Sequence, residues 1–277
     1  MVTVVDLINR LLTPLFDLVC WPFLAFAPIW AMTIISLVSG VVLVWIFGRV
    51  SDQTTIKSIR ETIRGNLIAV RLFQSDIGVM LRLQRRIFGD TFLYMRHTLV
   101  PMVVLMVPVL LNMTQLNLRF AARPLEQGEA VLVKAHVRDG AVLDGDVGLE
   151  VGDGIVVETK GVRIPSTQEV VWRVRADRPG THRIVVRIGD ETVDTKIIAG
   201  DGWGAIPQRR TGRGMLDTML YPGEPPIPET HTVEAVEIGY PPLELGVFGW
   251  SVNWLVAFFV LSMGFGFAFK DTLGVEV

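Results

Sequence analysis

Apolar and polar positions alternate in three different rhythms along this chain. Three windows carry no formal charge at all: Leu18 to Gly48, Thr98 to Leu118 and Leu245 to Phe269. Each supplies the roughly 20 apolar residues that a helix needs to cross the hydrocarbon core of a bilayer. The pattern therefore predicts three transmembrane helices, over residues 28–48, 98–118 and 246–269. Ahead of the first, Asp6, Asn9, Arg10, Thr13 and Asp17 recur at helical spacing, with Val5, Leu7, Ile8, Leu11, Leu12, Leu15, Leu18 and Val19 around them. That arrangement predicts an amphipathic helix lying in the membrane interface over residues 1–27. Trp21 and Trp30, with Pro22 and Pro28 beside them, suit the turn from headgroup level into the first span. The alternative is a longer, kinked first span.

Between the first two windows the rhythm is helical but far more polar. Ile56, Ile59, Ile63, Leu67 and Val70 form one apolar seam. After "FQSD", a second seam runs through Ile77, Met80, Leu81, Gln84, Ile87 or Phe88, Thr91 and Met95, with Ser75 or Asp76 able to cap the new helix. Residues 49–97 are thus expected to form an antiparallel helical hairpin of coiled-coil type. In the second span, Pro101 is expected in the first turn and Pro108 at a kink.

Between the second and third windows the period shortens to two. "EAVLVKAHV", "DVGLEV", "GIVVETK", "EVVWRVRAD", "THRIVVRIG" and "ETVDTKIIAG" read as short strands bounded by Gly, Asp and Pro. "ADRPGTHR" and "IGDET" read as hairpin turns. Residues 201–230, rich in Gly, Pro and Arg, read as an extended excursion, and "HTVEAVEIGYPP" as a last strand. Residues 119–245 are therefore expected to form an immunoglobulin-like β-sandwich with Val, Ile and Trp172 in its core. The fold class is an α+β membrane protein.

Charge orients this arrangement. Residues 49–97 hold nine basic side chains (Arg49, Lys57, Arg60, Arg64, Arg71, Arg82, Arg85, Arg86, Arg96) against Asp52, Glu61, Asp76 and Asp90. Residues 119–244 hold 20 acidic side chains against 15 basic ones. Basic residues beside spans favour the cytoplasmic side. The hairpin and the tail, 270–277, are then cytoplasmic, and the N-terminus and β domain outside, as in a bacterial inner membrane. The basic face of the hairpin could meet anionic headgroups, RNA phosphates or water; DNA is not an expected partner. A hydrophobic content of 50% and a mean hydropathy of +0.45 agree with membrane residence. The single cysteine, Cys20, permits no internal disulfide and reads as packing.

The search for chemistry returns little. His97, His136, His182 and His231 lack metal-ligand spacing, and no nucleophile elbow, phosphate loop or dinucleotide fingerprint is present. "DGDVGLEVGDG" lacks the register of a calcium loop. No catalytic residue, cofactor or metal is expected. What remains are polar residues inside spans, where they are expensive: Thr33 and Ser36 with Gly40 on the first, Asn112 and Gln115 on the second, Asn253 and Ser262 on the third, with Gly264 and Gly266 allowing close helix approach. They either glue the helices together or line a hydrophilic hollow. With the orientation above, Thr33, Asn112 and Asn253 fall toward the outer leaflet.

The order of parts, carried by "SDQTTIKSIRETIRGNLIAVRLFQSD" and "IGVMLRLQRRIFGDTFLYMRHTLVPMVVLMVP", resembles the Oxa1/YidC insertase superfamily, in particular its small three-span members. The chain is also similar in layout to bacterial three-span proteins whose last span opens like "FGWSVNWLVAFFVLSMGFGFAF". The first resemblance implies a protein that helps hydrophobic segments of clients enter the bilayer through a polar groove, without cofactor or covalent catalysis. Groove candidates are then Arg49, Thr33, Ser36, Asn112, Gln115 and Asn253. Arg82, Arg85 and Arg86 would contact nascent membrane proteins or the ribosome. The second expectation is a non-catalytic envelope scaffold or sensor that binds an unknown partner through its external β domain.

Overall fold

The computed structural model describes residues 2–72, 77–138, 146–212, 215–247 and 249–275. It is an α+β protein whose first half is helical and whose β-sheets are antiparallel. The chain divides into two compact units, Met1–Met32 with Leu111–Ala257, and Thr33–Leu110 with Phe258–Val277.

Helix α1 spans Val2–Cys20 and passes through Pro14. A short 3-10 turn, Trp21–Phe23, leads on to α2, Pro28–Val50. Helix α3, Gln53–Leu72, starts where the Asp52 carboxylate accepts hydrogen bonds from the Thr55 backbone N–H (3.1 Å) and the Thr54 and Thr55 hydroxyls (2.8 and 2.7 Å). These bonds satisfy donors that a helix start leaves orphaned. They also hold the Asp52 carboxyl down at about 2, the Thr55 hydroxyl bond contributing most.

Helix α4 runs Ile77–Phe120, 44 residues without interruption. The second arm of the expected hairpin and the second span are one element, and Pro101 and Pro108 both lie inside it. The expected cap at Ser75 or Asp76 lies outside the described residues. In the arm, Met80 and Ile87 of the expected seam are half-buried, joined by Leu83 and Tyr94, whereas Leu81, Gln84, Phe88, Thr91 and Met95 are exposed. Asn66 on α3 donates to the Asp90 carboxylate at 3.2 Å, so the hairpin joint is partly polar.

The β domain follows. Strands β1 (Ala130–Val137), β2 (Val147–Val151), β3 (Ile155–Val157), β4 (Val162–Ile164), β5 (Glu169–Ala176), β6 (Gly180–Ile188), β7 (Glu191–Ala199) and β8 (Arg209–Thr211) precede a short helix α5 (Met215–Leu220) and β9 (Val233–Ile238). One sheet has the order β3-β5-β1-β9-β8, with β4 also on β5; the other is β2-β6-β7. Alternation decides which side chains face the shared core. On β5, Val170, Trp172, Val174 and Ala176 are buried, and on β7 Val193, Ile197 and Ala199 point to the same core. Each such buried Val or Ile stabilises by about 1.5–3 kcal/mol.

Three details depart from the sequence expectation. "ADRPGTHR" is not a hairpin: it carries the chain from β5 in one sheet to β6 in the other. Gly180 turns there at φ +136°, while Asp177 and Arg178 donate their N–H groups to the Gly154 carbonyl. The first strand, β1, is central, between β5 and β9, where the immunoglobulin order would put it at an edge. The excursion over 201–230 contains β8 and α5. "IGDET" is the expected hairpin, with Gly189 at φ +60°.

The third apolar window divides. Its start forms a small hairpin, β10 (Leu245–Val247) with β11 (Trp250–Val252), turned at Gly249 with φ +86°. The helix that follows, α6, covers Trp254–Phe269, only 16 residues or about 24 Å. Two helices, α2 and the 43-residue Gly78–Phe120 stretch of α4, are long and apolar enough to cross a membrane; α6 is apolar but shorter. Gly40 on α2 is backed by Ser262 and Gly266 on α6, and Gly48 by Val275. Contacts ascending together in number mean that α2 and α6 run in the same direction.

Candidate functional site

The end of α4 holds a side chain that a sequence reading treats as a boundary marker. Arg119 is 1% exposed. Its Nη1 donates to the Gln115 carbonyl (3.0 Å) and the Gln115 Oε1 (2.8 Å). Its Nη2 donates to the Thr13 carbonyl (2.8 Å) and the Asp17 carboxylate (2.5 Å), and the guanidinium carbon stands 5.5 Å from the Phe16 ring centre. Gln115 completes the set by donating to the Thr13 hydroxyl at 3.2 Å. A buried guanidinium costs several kcal/mol in lost hydration; four hydrogen bonds to its two terminal nitrogens offset that cost, while Nε has no partner among the described residues. Here α4 supplies half the set and α1 the other half.

Three positions of the polar stripe of α1 therefore engage protein, while Arg10 is exposed. Asn9 donates to the Thr218 carbonyl on α5 (2.9 Å), and Thr13 and Asp17 engage Arg119. Leu7, Leu11, Leu15 and Leu18 point outward, followed by exposed Trp21 and Phe26. The join extends through Trp203, whose indole N–H donates to the Phe26 carbonyl (3.1 Å) and whose ring stacks on Phe120 at 5.2 Å. Cys20 is buried in this region, and burial pushes its thiol up to about 11, which keeps it protonated and inert.

This network accounts for Gln115, one of the sequence-derived groove candidates, as a structural partner. The others fall in separate surroundings. Asn253 caps α6 by accepting the Leu255 N–H at 2.9 Å. Arg49 sits at the end of α2 with its guanidinium 5.2 Å from the Trp45 ring centre. Thr33 and Asn112 are half-buried on α2 and α4. Ser36 is fully buried, and its hydroxyl has no hydrogen-bond partner among the described residues. Arg82, Arg85 and Arg86 are exposed on the α4 arm, Arg82 reaching back to the Gly78 carbonyl at 3.2 Å.

The cleft that does exist among α2, α4 and α6 has a different lining. Gly40, Leu43 and Val44, Val109, and Phe258, Ser262, Met263 and Gly266 enclose about 350 Å³. Ser262 is its one hydroxyl, and that hydroxyl donates to the Phe259 carbonyl at 3.3 Å. A Cβ at Gly40 would lie 2.4 Å from the Ser262 carbonyl oxygen, so this crossing requires glycine. The cleft is apolar, where the sequence reading expected a polar groove.

Sequence reasoning missed Arg119. A charge at the end of an apolar window reads as the edge of a span, and its partner Asp17 lies 102 residues away. The available signal was on α1, whose short polar stripe needed a matching surface. Among the described residues no group of three metal-ligating side chains gathers. No protein-family model, curated protein or solved structure matches this chain.

Proposed function

We propose that this chain is an insertase-like membrane protein, in which an apolar segment of a client passes along the cleft among α2, α4 and α6. The observation that carries the reading is the cleft itself: about 350 Å³ bounded by Gly40, Val44, Val109, Ser262 and Met263. With the basic hairpin on the cytoplasmic side, Gly40 and Val44 belong to the cytoplasmic half of α2, close to Arg49. An apolar hollow there offers an arriving segment side-chain contact before it meets lipid. In this reading α6 is a third, short span, parallel to α2, and the hydrocarbon core beside it is thin, because 16 residues reach only about 24 Å against a usual ~30 Å. A thinned core lowers the barrier to polar flanks. The protein works by binding alone, without cofactor or covalent step, at a bacterial inner membrane. The experiment is photocrosslinking from Val44, Val109 and Met263 to radiolabelled nascent membrane proteins. Adducts that vanish once nascent chains are released support the reading; lipid adducts alone from all three positions reject it.

A scaffold reading draws on a separate observation. Leu132, Val156 and Val162 are exposed on β1, β3 and β4 of one sheet, and a shallow hollow of about 510 Å³ lies beside Leu132, Lys134, Arg173 and Glu237. Such a surface suits a protein partner outside the membrane. Deletion of the cleft's function by bulky substitutions at Val44 and Val109, with the phenotype of the chain unchanged, would favour this second role.

A further inference from the structure

The arm of α4 carries an apolar stripe that nothing in its own unit covers. Leu81, Phe88, Phe92 and Met95 are 59%, 71%, 66% and 58% exposed. Their spacing continues as Leu99, Met102 and Met106 on the same helix, all exposed as well. From Phe88 onward the steps alternate four and three, the spacing of a coiled-coil seam. An adjoining side of the arm, with Met80, Leu83, Ile87 and Tyr94 half-buried and Asp90 bonded to Asn66, is the side that meets α3. The hairpin therefore occupies one face of α4 and leaves a second seam unpaired.

Lipid can cover the part of this seam inside the membrane but not the part in the arm. Because α4 is uninterrupted from Ile77 to Phe120, the arm continues the line of the span away from the bilayer and cannot lie flat on it. Counting back from Thr98 at 1.5 Å per residue, Phe88 stands about 15 Å and Leu81 about 25 Å beyond the start of the uncharged window. Apolar side chains at that height meet either water or protein. A second copy of this chain is a poor occupant. Two copies inserted alike place Arg85, which falls within the seam, opposite Arg85, with Arg82 and Arg86 alongside, all exposed. Like charges across a seam oppose pairing.

We infer that this seam is the docking site for a helix of a different membrane protein, one that crosses the bilayer parallel to α4 and extends into the cytoplasm. Its facing positions are apolar through the span, and its cytoplasmic extension is acidic, to match Arg82, Arg85, Arg86 and Arg96. Met95, Met102 and Met106 supply adaptable packing along the join. This inference stands apart from the insertase reading, since it concerns a resident partner rather than a passing client; Val109, three residues beyond Met106, is where the same stripe reaches the cleft.

The test uses the full chain in native membranes with a photoreactive residue placed singly at Phe88, Phe92, Met95, Met102 and Met106, and at Leu93, Val100 and Val104 as controls on the flank. The expected result is one adduct of constant mass from all five seam positions, little from the controls, and no change when nascent chains are released beforehand. The double substitution Phe88→Ser with Phe92→Ser should then reduce the adduct from Met102 at least tenfold. An adduct of twice the chain's own mass would overturn the inference in favour of self-pairing. Adducts of many masses that disappear with nascent chains would assign the seam to clients. Absence of protein adducts from Phe88 and Phe92 would leave the arm simply solvated and sink the proposal.

Discussion

The two ends of α4 solve opposite problems. At its C-terminal end a buried cation, Arg119, has both terminal nitrogens engaged from within the chain, by Gln115 on the same helix and by Thr13 and Asp17 on α1. Toward its N-terminal end the arm exposes Phe88 and Phe92, which have no such cover. One helix thus pairs its polar surplus internally and leaves its apolar surplus outside. The difference teaches that exposure must be read position by position. An exposed Met106 lies within the uncharged window of residues 98–118, whereas an exposed Phe88 lies outside it among arginines.

The sharpest way to break this contrast is at Asp17. Asp17→Ala leaves Arg119 buried without its counter-charge, which should cost about 3 kcal/mol. Thermal unfolding in detergent, followed by tryptophan fluorescence, would show the loss; Arg119→Met combined with Asp17→Asn should recover part of it, because no uncompensated charge remains. Next in size is Gly40→Ala. The added methyl group meets the Ser262 carbonyl, and overpacking of this kind costs about 1–3 kcal/mol. Gly264→Ala, with nothing near its Cβ position, is the matched control and should change the melting temperature little.

A smaller effect is expected from acid. Asp52 has its carboxyl lowered from 3.8 to about 2 by the Thr55 and Thr54 bonds. A depressed carboxyl contributes above its unfolded pKa and loses that contribution as pH falls toward its folded one. Helicity of the hairpin should therefore decline between about pH 4 and pH 2, and Asp52→Asn should flatten that part of the titration measured by circular dichroism. Smallest of all, Phe88→Ser should alter the stability of the purified chain by no more than about 0.5 kcal/mol, as exposed sites do. A larger loss would mean that Phe88 is covered within the chain, and the contrast between the two ends would disappear.

Much of the architecture is written in local pattern. The alternation in "EVVWRVRAD" places Val170, Trp172 and Val174 in the core, and the three-and-four spacing of Asn9, Thr13 and Asp17 marks the docked face of α1. What local pattern could not carry is anything decided by a distant contact or a single torsion. "LGVFGWSV" has the composition of a span, yet a positive φ at Gly249 turns it into a hairpin, and α6 begins late in consequence. Polar residues in apolar windows looked equivalent as groove candidates. Gln115 and Asn253 proved to have different structural duties, because each answers a neighbour that composition does not reveal. The seam on α4 was legible in spacing, but only exposure separates the face that meets α3 from the face that does not.

The docking of α1 also sets an order of events during synthesis. Asn9 bonds a carbonyl 209 residues later, and Asp17 meets a guanidinium 102 residues later. At 5–20 residues per second, the α5 partner of Asn9 emerges roughly 10 to 40 s after the helix itself. Throughout that interval Asn9 is without the carbonyl that it finally bonds. Helix α1 is therefore among the last elements to find its final contacts, since they wait for Thr218 on α5, made after β1 to β8.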